Sequence, residues 1–196
     1  NVDSLWTEQG TVGSVTSSLS EENKREGSGS NKHVLAVGLA AGAIIASEAI
    51  SSIDLSGMTH AEFWMKSTIA TTAGDLQLLL DNSASCASPV ETLNVPALVA
   101  DTWTYVRVAL ATPALDTAII SVGLKHTNDI GAATIHIDGI RAVRDNTGDW
   151  ATLHRNSWHV DKDARTFTLD YPNTPTGSGY ALIKLVGVKK PSELDA

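Results

Sequence analysis

Thr134-Ile-His-Ile-Asp-Gly-Ile-Arg-Ala-Val143 alternates its side chains and carries an Asp-Gly pair in mid-run. Successive side chains of a pleated chain point to opposite faces, so this alternation reads as the closing strand of a β-sandwich. Upstream, Ala118-Ile-Ile-Ser-Val-Gly-Leu-Lys125 and Trp103-Thr-Tyr-Val-Arg-Val-Ala-Leu110 are rich in β-branched and aromatic residues and bounded by turn formers. Thr59-His-Ala-Glu-Phe-Trp-Met-Lys66 puts His60, Glu62, Trp64 and Lys66 on one face, the pattern of a strand with one wet side. Asp75-Leu-Gln-Leu-Leu-Leu-Asp81 is a compact apolar run. Thr92-Leu-Asn-Val-Pro96 ends on a residue with no N–H to donate, which places it at an edge or a strand end.

Toward the N-terminus, a first strand contains Trp6, and Lys32-His-Val-Leu-Ala-Val37 begins another. Residues 14–31, with Glu21-Glu-Asn-Lys-Arg-Glu26 and Gly27-Ser-Gly-Ser30, read as a solvated loop. Residues 34–50 read as strand material and residues 51–58 as a connecting turn. The spacing gives about eight strands before residue 145, as in a two-sheet jelly roll. The expected fold is all-β: an antiparallel two-sheet jelly-roll β-sandwich over residues 1–144, with a C-terminal β extension over residues 145–196. In that extension Arg165-Thr-Phe-Thr-Leu-Asp-Tyr171 and Tyr180-Ala-Leu-Ile-Lys-Leu-Val-Gly-Val188 read as strands. Two or three strands do not stand alone, so the extension is expected to pack on its own sandwich or on a neighbouring subunit.

The 196 residues suffice for a hydrophobic core without a metal or a disulfide. Hydrophobic residues make up 42% and charged residues 18%, which leaves a surface dominated by Ser, Thr, Asn and Gly. With a net charge of -8 and no basic stripe along the chain, nucleic acid is not an expected partner. The one cysteine, Cys86, lies in a Ser/Ala-rich loop and reads as a bystander, with no intrachain disulfide or Cys-based zinc site to form. No run reaches the roughly 18 apolar residues of a membrane span. The chain opens on Asn1 rather than Met, which reads as a processed or trimmed product, or as the ordered part of something longer.

Trp6, the Gly27-Ser-Gly-Ser30 entry into a strand, Asp54-Leu-Ser-Gly57 ahead of Phe63-Trp-Met-Lys-Ser67, Trp103-Thr-Tyr-Val-Arg107 and Ile137-Asp-Gly-Ile-Arg141 follow one another in a telling order. In that order they resemble jelly-roll carbohydrate-binding-module-like domains over about residues 3–144. The C-terminal Trp158-His-Val-Asp, Arg165-Thr-Phe-Thr-Leu and Leu185-Val-Gly-Val-Lys-Lys-Pro191 look like an appendage of bacteriophage virion structural proteins.

The first resemblance implies a structural calcium held by a last-strand carboxylate and an N-terminal segment. Asp138 matches that carboxylate, and Glu26 or Asp3 would supply further oxygens. The plainer reading has Asp138 cap a bulge and Glu26 stand in solvent. The resemblance also implies sugar stacking on exposed aromatic rings. Of the five Trp and three Tyr, Trp64 and Trp103 sit in strands and read as core or sheet-packing groups. Trp150, Trp158 and Tyr180 are the better candidates for partner or glycan contact, although packing of the tail is the preferred reading for the two tryptophans.

Catalysis has little to stand on. There is no His-Glu-x-x-His run, no Gly-x-Ser-x-Gly elbow and no phosphate-cradling glycine loop. His33, His60, His126 and His136 fall in or beside strands and read as hydrogen-bonded or solvent-facing groups. The leading expectation is a non-enzymatic virion structural protein of phage type, a capsid decoration or tail component. It would be located in the virion and form homo-oligomers, or contacts with other virion subunits, through its C-terminal strands. The alternative is an extracellular carbohydrate-binding module or lectin-like domain that binds glycans through exposed aromatic residues.

Overall fold

The computed structural model describes residues 4–9 and 13–144, together with the backbone of two later strands. The chain divides into two units, Asn1–Gly148 and Asp149–Ala196, each described by itself. The first contains β1 (Thr7–Glu8), β2 (Val15–Ser20), β3 (Ser30–Leu35), β4 (Ile44–Ile53) and β5 (His60–Ser67). It continues with β6 (Leu76–Asp81), β7 (Glu91–Asn94), β8 (Thr104–Ala109), β9 (Ile119–His126) and β10 (Ala133–Val143). They form two five-stranded sheets, ordered β1-β4-β9-β6-β7 and β2-β3-β10-β5-β8. Every pairing is antiparallel. The jelly-roll sandwich expected from the alternation is the fold that forms. In the second unit, β11 (Trp158–Asp161) pairs antiparallel with β12 (Thr166–Leu169).

The period-two pattern explains the layering. In β5, Ala61, Phe63 and Met65 are buried while His60, Glu62, Trp64 and Lys66 are only partly covered. From the facing sheet, Leu76, Leu78, Leu80 and Leu124 fill the same core, together with Ile135 and Ile137 of β10. Each such side chain contributes about 1.5–3 kcal/mol on leaving water. Trp6 is 1% exposed and closes the core near the N-terminus, its ring 5.8 Å from that of His33.

Three placements differ from the sequence reading. Val15–Ser20, expected within a loop, is an edge strand of the second sheet, paired along its length with β3. Strand β4 runs on to Ile53, so the connecting turn begins three residues later than its expected start. The Thr134–Val143 stretch, last in sequence of the first unit's strands, lies in the middle of its sheet between β3 and β5. A central position explains why its buried run is so continuous.

Cys86, expected to be a bystander, is fully buried. The 3-10 turn Ala84–Cys86 lies on the outer face of the first sheet, and the Cys86 N–H donates to Ser121 Oγ at 3.2 Å. Ser121 Oγ donates in turn to the Ser83 carbonyl at 2.7 Å, and Asp81 accepts from the Ser83 hydroxyl and from the Ser88 N–H. Gly123 lies directly beneath: a Cβ there would sit 2.8 Å from Cys86 Sγ. Residues 82–90 thus roof this sheet, and burial pushes the Cys86 thiol up from its ordinary range.

Candidate functional site

The outer face of the second sheet is covered only in part: His136 and Asp138 at its centre are buried, the side chains of β5 and β8 on this face are partly exposed, and all fall into rows that follow the strand register. In one row Lys32 of β3 stands opposite His136 of β10, which stands opposite Lys66 of β5. The Trp103 ring, just ahead of β8, lies 6.0 Å from the His136 ring. In the next row Asp138 is opposite Trp64 and Trp64 opposite Tyr105. Those two rings are 5.2 Å apart, tilted by 58°. In the third, Arg141, Glu62 and Arg107 alternate in sign. Arg107 Nε reaches Glu62 Oε1 at 3.0 Å and Arg141 Nε reaches Glu62 Oε2 at 3.3 Å.

A bulge makes the second and third rows compatible. Between Asp138 and Arg141 the register shifts, so that Gly139 and Ile140 together oppose Phe63. With strict alternation, Asp138 and Arg141 would point to opposite faces; the extra residue returns both to the outer face. Gly139 has φ +60°, a conformation that costs glycine little. The Glu26 carboxylate fills the space where a Cβ would stand, 3.0 Å away.

The β2–β3 connection folds over this bulge. Asp138, wholly buried, accepts the main-chain N–H of Arg25 at 2.6 Å and of Glu26 at 2.9 Å on one oxygen. These charge-assisted bonds fix the loop. They also bring the Arg25 guanidinium 4.3 Å over the Trp64 ring, where the quadrupole attracts it. Glu26 pairs with Arg141 at 3.3 Å, and Lys66 Nζ donates to Asn23 Oδ1 at 3.3 Å. Burial first, then the positive Lys66 and Lys32, lower His136 to about 4, so its imidazole is neutral at pH 7. Burial and the adjoining Glu62 carboxylate raise Tyr105 above the usual phenol range.

The face brings together Trp64, Trp103 and Tyr105, with Tyr105 42% exposed and both tryptophans partly exposed. Neither Trp64 nor Trp103 belongs to the core, which corrects that half of the expectation; the sheet-packing half holds, with Trp64 against the Tyr105 ring and Trp103 against the His136 ring on the outer face. The signal was in the sequence. Trp103, Tyr105 and Arg107 share one parity, and an arginine in that series marks the solvent side. Of the residues expected to touch a partner or glycan, Trp150 and Tyr180 lie outside the described residues, as does the side chain of Trp158.

For calcium, the structure joins Asp138 to Glu26 through the Glu26 N–H rather than through a shared oxygen cage. Asp138 Oδ1 is buried and unpartnered, which suits a cation. Its other oxygen is held by two N–H donors and Glu26 by a guanidinium, which does not suit one. Calcium takes six to eight oxygen ligands. Among the described residues no group of three or more His, Cys, Asp or Glu converges as a metal site, and Asp3 lies outside them. Among the described residues, the carboxylates of Asp138 and Glu26 do not converge on a common point as calcium ligands. Asp138 does lie at a bulge, as the plainer reading has it, but Glu26 does not stand free in solvent: it packs on Gly139 and pairs with Arg141.

A separate cleft of about 410 Å³ opens between the sheets, lined by core residues such as Trp6, Leu80 and Ile119. It is continuous with the apolar interior and lies apart from the aromatic row. Among the described residues no helix is long and apolar enough to cross a membrane.

No family model matches the chain, and no curated protein matches it. Solved structures do. The chain is similar to the family 11 carbohydrate-binding module of a cellulosomal cellulase of Clostridium thermocellum, with TM-score 0.53 and 11% identity over 72% of this chain and 88% of that one. The same organism's family 11 module in complex with a β-1,3-1,4-mixed-linked tetrasaccharide gives TM-score 0.52 and 11% identity, over 71% and 88%. At this identity the likeness shows the fold: a β-sandwich of the carbohydrate-binding-module type.

Proposed function

We propose that the protein is a non-catalytic, extracellular glycan-binding module whose binding surface is the outer face of the second sheet. The observation that carries this is the gathering of Trp64, Trp103 and Tyr105, all partly exposed, on one face among side chains that hydrogen-bond in fixed directions. Sugar rings present apolar C–H faces that stack on aromatic rings, while their hydroxyls need paired donors and acceptors. Arg25, Asn23, Lys66, Glu62 and Arg107 provide these. Most are already held by ion pairs or hydrogen bonds, so little ordering remains to oppose binding. That a fold of this type was solved with a bound tetrasaccharide supports the reading.

Virion attachment through the C-terminal strands rests on residues outside the described ones, and nothing on the described face adds to it. A glycan array followed by calorimetry on the strongest ligands tests the proposal. Trp103→Ala and Tyr105→Ala should each weaken binding about tenfold or more, as central aromatic anchors do, with the melting temperature nearly unchanged. Full binding by the double variant would overturn it.

A further inference from the structure

The net charge of the chain is -8, yet the row nearest Trp103 is made of basic groups. Lys32 and Lys66 flank His136 on the two neighbouring strands, two strand steps or about 10 Å apart. At this separation, near the screening length at physiological salt, the two lysines repel each other only weakly, and their charges add at any anion placed between them. In the third row such an anion is present: Glu62 lies between Arg107 and Arg141, and Glu26 takes the other side of Arg141. In the Lys32–His136–Lys66 row it is missing. Among the described residues neither lysine takes part in an ion pair, Lys66 has only the neutral Asn23 amide, and Arg25 beside them lies over the Trp64 ring. Trp103 thus lies beside two lysines that no carboxylate of the described residues meets in an ion pair, the nearest row's Asp138 being held by the Arg25 and Glu26 N–H groups.

We propose that the glycan held on this face is anionic, with carboxylate or sulfate groups along the sugar chain that sit between Lys32 and Lys66 while a neighbouring ring stacks on Trp103. This rests on the glycan-binding reading and names its ligand class. The acidic groups supply the charge that the row lacks. The neutral His136 imidazole, hydrogen-bonded to Ser30 Oγ at 3.3 Å, keeps the two lysines apart without adding a third charge at neutral pH. A chain so acidic overall would repel a polyanion except at such a local concentration of positive charge.

Affinity electrophoresis and calorimetry on the full chain test this with matched pairs: polygalacturonate against methyl-esterified pectin, and dextran sulfate against dextran. Mixed-linkage β-glucan serves as a further neutral polymer and oligothymidylate as a non-glycan polyanion. The acidic member of a pair should bind and the neutral one should not, and raising NaCl from about 50 to 500 mM should weaken binding about tenfold. Lys32→Gln with Lys66→Gln should cost a similar factor and leave the melting temperature in place. Preference for polygalacturonate assigns carboxylate, and preference for dextran sulfate assigns sulfate. Equal, salt-independent binding of a neutral polymer overturns the anionic ligand and leaves the glycan-binding face standing. Failure of every polysaccharide overturns both, as does binding of oligothymidylate alone.

Discussion

The two sheets share a core but treat their outer faces in opposite ways. On the first sheet, residues 82–90 fold back as a roof, Gly123 makes room for Cys86, and Asp81 and Ser121 tie the segment down. On the second, the β2–β3 loop covers the bulge and reaches Trp64 through Arg25 and Lys66 through Asn23, while Trp103, Tyr105 and the lysines stay partly exposed. Polar side chains on the first face are spent on the protein's own backbone, whereas those on the second pair mainly with one another in rows that end in solvent. Buried, backbone-directed hydrogen bonds serve stability, and exposed, mutually braced side chains serve recognition.

The comparison is broken most forcefully at Asp138, where the second face, like the first, spends a buried side chain on the backbone. Asp138→Ala strands two N–H groups, and it should cost about 3 kcal/mol in denaturant unfolding. It should also release Arg25 from Trp64 and weaken glycan binding. The loss should be the same in calcium and in EDTA; a loss confined to calcium-containing buffer would favour the metal at Asp138 instead. Gly123→Ala should cost about 2 kcal/mol, because its Cβ meets Cys86 Sγ and the Ala46 carbonyl, while leaving binding untouched. Denaturant curves and calorimetry on the same sample separate the two effects.

Acid titration sharpens the contrast further. His33 is lowered to about 4 by burial and by His136, which is itself lowered to about 4. A folded value below the unfolded 6.5 means that the unfolded chain takes up protons first. Stability is then fully present above about pH 6.5 and falls as pH drops toward 4. Asp116, buried beside Glu91, runs the other way: burial and the neighbouring carboxylate raise it to about 6, so protonation there favours the folded state as pH falls through 6. Asp116→Asn should therefore add about 1–2 kcal/mol at pH 7 and make the acid-side loss steeper, as thermal melts between pH 7 and 4 would show. The smallest effect is expected for Glu62→Gln. Its ion pairs with Arg107 and Arg141 are part-exposed, so stability should change by about 1 kcal/mol or less while glycan affinity shifts measurably.

Much of the fold could be read from the chain because β5 alternates strictly and β8 and the first half of β10 follow the same period, which a sheet with one buried face imposes. Strand β2 could not. Its sequence Val-Thr-Ser-Ser-Leu-Ser pairs with β3 at a sheet edge, and its hydroxyls make bonds of their own, Ser20 Oγ accepting the Asn23 N–H and Ser17 Oγ sharing a hydrogen bond with His33 Nδ1. Such a composition looks like a loop until the partner strand is known. The roof was hidden for the same reason: the burial of Cys86 depends on Gly123, far away in sequence. At the site, the face carrying His60, Glu62, Trp64 and Lys66 was legible. The general tendency of tryptophan in strands to be buried masks the exposure of Trp64 and Trp103, which the pairing of β5, β8 and β10 reveals. The basic row required the pairing of β3, β10 and β5, which no local pattern reveals.

The most direct test is an NMR titration of the whole chain with an acidic oligosaccharide, following the tryptophan indole N–H resonances and the backbone amides. The account predicts that the Trp64 and Trp103 indoles and the amides around Tyr105 and Lys66 shift together with one affinity, while Trp6 and residues 82–90 stay in place. Shifts confined to the roofed sheet, or none on the face of Trp64 and Trp103 for any glycan, would contradict it.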